Sequence, residues 1–137
     1  MRYAVQVAAH WAREFAAKIA VVVVYIDEAH ATDEWPISSA RDAPRGEPVA
    51  YAAHRTMEDR LVAARDLATD FGLTAAGVVV VADDLTPATN FQKRYASWPI
   101  RWGVFRQTPE VGATVVEIGQ PEEASFDLSL VLGRDAL

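Results

Sequence analysis

Tyr25, Asp27, Glu28 and His30 stand together just after the unbroken apolar run from Ile19 to Val24, and the same stretch continues through Asp33 and Glu34 to Trp35. A buried strand that ends abruptly in carboxylates, an imidazole and aromatic rings places these groups where an α/β sheet opens into a crevice. The chemistry they suit is proton handling, since an imidazole titrates near pH 6.5 and its neighbours can relay the proton or fix the ring's tautomer. Metal binding competes for His30, Asp33, Glu34 and His54. No element carries a His-x-x-x-His or comparable ligand spacing, so a metal is not expected. No glycine-rich loop follows either apolar run, which removes the usual nucleotide-phosphate fingerprints.

The composition narrows the remaining classes. The chain has 137 residues, 51% of them hydrophobic and 23% charged, enough for one domain with its own core. A net charge of −6 and a pI near 5.0 offer no basic footprint for nucleic acid or an anionic membrane. No run approaches the roughly 18 apolar residues of a membrane span, and no signal peptide is evident, so a cytoplasmic protein is expected. Cysteine is absent, which removes disulfides, thiolate ligands and any cysteine nucleophile from these residues.

Periodicity then supplies the elements that must position the candidate groups. Tyr3 to Lys18 reads as an amphipathic helix with Val7, Trp11 and Phe15 in the core. Ile19 to Ile26 reads as an interior, parallel strand covered on both faces, because polar residues do not alternate along it. Pro36 to Tyr51 reads as a long surface loop. His54 to Phe71 is a helix whose apolar stripe is Met57, Leu61, Ala64, Leu67 and Phe71, with Gly72 ending it and Glu58, Asp59 and Arg60 serving the helix dipole or local pairs. Val78 to Ala82 is a second apolar strand, and Thr86-Pro87 opens a short helix to about Tyr95. Ile100 to Phe105 and Ala113 to Ile118 form a hairpin, and Pro121 starts a closing helix to about Leu132. This order is that of an α/β, thioredoxin-like fold: a mixed sheet with flanking helices, a C-terminal β-hairpin plus helix, and the first strand missing.

Two segments carry a family resemblance. Tyr25-Ile26-Asp27-Glu28-Ala29-His30, running through Thr32-Asp33 to Trp35, resembles the strand-and-loop signature of the iodothyronine deiodinases. His54-Arg55-Thr56-Met57-Glu58-Asp59-Arg60 is similar to the family's His-Arg-x-Leu-Glu-Asp-Arg helix start. Weaker similarity runs through Val79 to Asp83 and from Tyr95 to Val104, where Arg101 fits an arginine ahead of the penultimate strand. Glu34 stands where the family usually has glycine, and the turn after the last strand is reduced to Gly119-Gln120-Pro121.

The resemblance implies a reductive deiodination of an iodinated phenol or thyronine-like substrate by a selenol or thiol. That nucleophile and the strand before it would lie upstream of Met1, making this sequence an N-terminally truncated piece that is inactive alone and short of a sheet partner. His30 and His54 are the implied proton donors, with Glu28 and Tyr25 as relays or ring-fixing groups. Arg101 would hold a substrate carboxylate, and Pro99, at the strand entrance where thioredoxin-like proteins place a cis-proline, would face the nucleophile; Trp35 reads either as a stacking surface for the substrate or as a plug at the sheet's edge. No bound cofactor is implied; an external thiol reductant, and a possible homodimer, are. Two alternatives stay open: a noncatalytic thioredoxin-fold binding module, and a peroxiredoxin-like thiol or selenol oxidoreductase.

Overall fold

The computed structural model describes residues 2–36, 51–97 and 100–119. They fall into two compact units, Met1–Ala96 and Ser97–Leu137. The chain is a mixed α/β protein, an arrangement compatible with a thioredoxin-like fold. The closing helix from Pro121, Pro99 and all but the ends of the Pro36–Tyr51 loop lie outside the described residues.

The first unit begins with helix α1 (Arg2–Glu14), which leads to strand β1 (Val22–Tyr25). The apolar run extends well beyond β1 on its N-terminal side, yet only these four residues pair, in parallel register with β2 (Val79–Ala82): Val22 opposite Val79 and Tyr25 opposite Ala82. Between the two strands lies α2 (Met57–Asp70), the crossover that a parallel pair requires.

Local chemistry sets both ends of α2. Thr56 is its N-cap in a capping box: the Thr56 hydroxyl accepts from the Asp59 amide at 3.1 Å while the Asp59 carboxylate accepts from the Thr56 amide at 2.9 Å. At the other end Gly72 has a φ of 60°, and the Leu73 and Gly72 amides donate to the carbonyls of Ala68 and Thr69. These two bonds define a Schellman exit, completed by Leu73 folding back into the core beside Leu67 and Ala68.

Two apolar clusters hold this unit. One joins Val5, Ala9 and Ala12 of α1 to Leu73, Ala76 and Val78, with Val21, Val23 and Val80 against it. The other joins Tyr25 to Ala63 and Ala64 of α2, with Leu67, Val80 and Ala82 around them. Strand side chains alternate, so Val23, Tyr25, Val80 and Ala82 face these clusters and Val22, Val24, Val79 and Val81 occupy the opposite face. There Val22, Val79 and Val81 are 52%, 53% and 42% exposed, which corrects the expectation of a β1 strand covered on both faces. Helix α1 is rotated from its expected stripe, whereas α2 keeps Ala64, Leu67 and Phe71 of its stripe against the core and departs from it at Leu61. Small residues, not Val7, Trp11 and Phe15, form the buried face of α1, and Leu61 is exposed while Arg60, Ala63 and Ala64 turn inward.

After β2 comes α3 (Phe91–Tyr95), capped by Asn90 and not by Thr86. The reason is local: Asp84 draws the Thr86 amide and the Thr89 hydroxyl into a turn of its own, and the Asp83 carboxylate accepts from the amides of Phe91 and Gln92. The second unit contains the expected hairpin, β3 (Trp102–Thr108) and β4 (Gly112–Gly119), with a bulge between Val104 and Phe105. Gly112, at a φ of 77°, opens β4 after the turn.

Candidate active site

The groups singled out in the sequence come from the carboxyl end of β1 and the entry to α2. Tyr25 is the last residue of β1 and is buried. Its phenol donates to Glu28 Oε2 at 2.9 Å, and Glu28 is itself only 7% exposed. The second carboxylate oxygen of Glu28 accepts weakly from the His30 amide at 3.4 Å. One buried carboxylate thus ties the end of the strand to the backbone of the His30 loop. Burial, reinforced by the Glu28 charge, pushes the Tyr25 phenol well above its ordinary value, so it stays a donor throughout the range in which proteins work.

His54 arrives from the other side. It lies two residues before the Thr56 cap, outside the helix, so Thr56 and not His54 caps α2. Its side chain is 1% exposed, with its ring 5.6 Å from the Tyr25 ring and 6.4 Å from the Tyr51 ring. Neither ring nitrogen of His54 has a hydrogen-bond partner among the described residues. A buried imidazole in that condition stands out, because nearly all buried polar atoms are bonded.

Beneath this ring lies a polar bracket that the sequence reading missed. Arg60, 5% exposed at the side chain, places Nη2 3.4 Å from Asp27 Oδ1 and donates from Nη1 to the carbonyls of Asp83 at 3.2 Å and Asp84 at 3.3 Å. The guanidinium therefore bridges the residues that follow β1 and β2, which corrects its assignment to the helix dipole. The same Asp27 oxygen accepts from the Glu28 amide at 3.0 Å and stands 3.9 Å from His54 Nδ1. The missed signal was positional: Arg60 falls in register with Ala63, Ala64 and Leu67, on the apolar stripe of α2 where a solvated arginine would not be.

His30 is half-buried, with Nδ1 3.3 Å from the Trp35 carbonyl and its ring edge-on to Trp35 at 5.7 Å. Trp35 is 73% exposed. Asp33 clamps the strand of chain leading to His54: it accepts from the Ala53 amide at 2.7 Å and from Arg55 at 3.4 Å. These bonds hold its carboxyl below the ordinary carboxylate range, the Ala53 bond most of all. Tyr51 donates to Asp66 of α2, and its backbone carbonyl accepts from the Thr32 amide at 2.8 Å. An open groove of about 370 Å³ lies along this chain segment, lined by Tyr51, His54, Arg55, Asp59 and Val62 among others.

The structure therefore brings Tyr25, Glu28 and His54 together and ties His30 to them through its backbone. Arg101 is exposed and lies in the second unit, just before β3. Among the described residues, no three His, Asp or Glu side chains are placed to hold a metal ion.

The carboxyl end of β1 and the entry to α2 thus bring a buried carboxylate, a phenol and an imidazole without a hydrogen-bond partner among the described residues into one region of a parallel α/β unit. The iodothyronine deiodinase family model matches residues 5–111 of the 137. The chain belongs to the iodothyronine deiodinase family. A search of curated proteins finds no match.

Proposed function

We propose that this chain is the proton-handling part of a reductive dehalogenase acting on an iodinated phenol or thyronine-like compound. The observation that carries the reading is the buried Tyr25–Glu28 pair beside the unpartnered His54 ring, lying inside the segment that matches the family. An aromatic ring that loses iodine must gain a proton at the same carbon, and a desolvated imidazole is suited to deliver it. Glu28 and Tyr25 support that role: a buried carboxylate held by a phenol that does not ionise is a fixed acceptor through which a proton can be passed.

The reaction needs a soft nucleophile, and the chain has no cysteine. In this reading a selenol or thiol from outside these residues attacks iodine. The carbon–iodine bond breaks, a chalcogen–iodine bond forms, and the ring carbon takes its proton from His54 or His30. The substrate is reduced by two electrons. Two external thiols restore the nucleophile and leave as a disulfide, releasing iodide and a proton. Trp35, exposed beside His30, supplies a stacking surface for the iodinated ring.

The test is thiol-dependent iodide release from an iodophenol by a chain extended with an upstream segment carrying cysteine or selenocysteine. Release from the extended chain, with none from the 137 residues alone, supports the reading. Binding of the iodophenol by the extended chain without release would favour the noncatalytic module.

A further inference from the structure

We propose that Arg60 is a positioning residue for His54, acting through Asp27, and that together they fix which ring nitrogen carries the proton. The inference rests on the function proposed above, in which His54 is a proton donor. The geometry is specific. Asp27 Oδ1 is met by three groups from three places: the Glu28 amide at 3.0 Å, Arg60 Nη2 at 3.4 Å and His54 Nδ1 at 3.9 Å. The carboxylate belongs to a chain turn that is otherwise 41% exposed at this side chain, so without a holding partner it would sample water. Arg60 is that partner, and it is itself immobilised by the Asp83 and Asp84 carbonyls.

The consequence for the imidazole is electrostatic. A fixed negative oxygen beside Nδ1 favours the proton on that nitrogen, and an approach of less than 1 Å would turn the contact into a hydrogen bond. Such tightening is ordinary when a catalytic site closes on its ligand. Nε2, equally buried and equally without a partner, is then the unprotonated nitrogen of the neutral ring. It is the nitrogen that remains to take up a proton. The other groups facing the ring do not compete for the role. Tyr25 directs its hydroxyl to Glu28, Tyr51 directs its own to Asp66, and Asp59 is engaged with the Thr56 amide in the capping box.

The arrangement divides labour between two charges. Arg60 fixes the carboxylate and also draws on the same oxygen, which limits how strongly Asp27 holds a protonated ring. A ring meant to give up its proton benefits from an orienting carboxylate that is shared and not dedicated.

Nitrogen-detected NMR of the histidine rings in the 137-residue chain tests this without any turnover, at a pH where the rings are neutral. The expected result is a His54 ring protonated at Nδ1. Asp27→Asn, at a half-exposed position, and Arg60→Met should each bring the two tautomers to within about threefold of each other, whereas Arg60→Lys should leave Nδ1 predominant. A wild-type ring protonated at Nε2 overturns the proposal, as does a folded Asp27→Asn or Arg60→Met variant with an unchanged tautomer ratio. Failure of iodide release in the extended chain would instead count against the proposed function and leave the tautomer result standing.

Discussion

Among single residues, Glu28 has the most exacting surroundings. It is buried, and it depends on the Tyr25 phenol for its strongest side-chain bond. Tyr25→Phe removes that donor and leaves a desolvated carboxylate behind. We expect a loss of about 1–3 kcal/mol in urea unfolding, the usual range for stripping a buried charged acceptor of its partner. Glu28→Gln keeps an acceptor for the phenol at similar volume and should cost less, so the order of the two variants reports whether the charge or the shape is being held. The sequence displayed these residues plainly, since Tyr25, Glu28 and His30 follow an apolar run and differ from it in kind. The pairing of Asp27 with Arg60 was harder to see. It joins residues 33 positions apart, and each has an ordinary local explanation that periodicity alone cannot reject.

At the scale of elements, α2 couples the site to the fold, because the chain runs from His54 through the Thr56 cap directly into the helix. Thr56→Ala should cost about 1 kcal/mol by loss of the cap, measured as a drop in thermal or urea midpoint. The cap also has a pH signature. The Thr56 hydroxyl and amide hold the Asp59 carboxyl below its ordinary value, as the Thr86 amide and Thr89 hydroxyl hold Asp84 and the Ala53 amide holds Asp33. A carboxyl with a depressed folded-state pKa binds fewer protons folded than unfolded. Its stabilisation is complete above the unfolded value near 4 and is lost as pH falls through the lower folded values. Melting temperature should therefore fall as pH drops below about 4, and Asp59→Asn should flatten that slope.

Element identity was legible where hydrophobic runs and punctuation agreed: Gly72 marks the exit of α2, and the β3–β4 hairpin follows its turn. Boundaries and buried faces were less so. The buried side of α1 is built from alanines, Ala8, Ala9 and Ala12, which permit close packing and which a search for large apolar residues passes over. Thr86 looked like a helix cap because Asp84, two residues earlier, was not weighed as a competitor for its amide.

On the scale of the molecule, the first unit is held by a modest core in which Leu73 is the one large side chain fully buried among the described residues. Leu73 also closes the Schellman exit of α2, so Leu73→Ala removes core volume and loosens the helix end together. We expect a loss of about 2–5 kcal/mol in chemical unfolding. The valine face made by Val22, Val79 and Val81 shows why continuous apolar runs mislead: such a run requires burial on both sides only if something lies on both sides, and local sequence does not record that.

The family is established; the central claim is that Tyr25, Glu28, His30 and His54 handle protons for carbon–iodine reduction by a chalcogen supplied from outside these residues. Iodide release measured with an iodophenol and excess thiol tests it directly, comparing the extended, cysteine- or selenocysteine-bearing chain with its His54→Ala variant. The account predicts thiol-dependent release that falls by about 10²–10⁴-fold in the variant, with the substrate still bound. Release that is indifferent to His54, or an extended chain that binds the iodophenol and never liberates iodide, would contradict it.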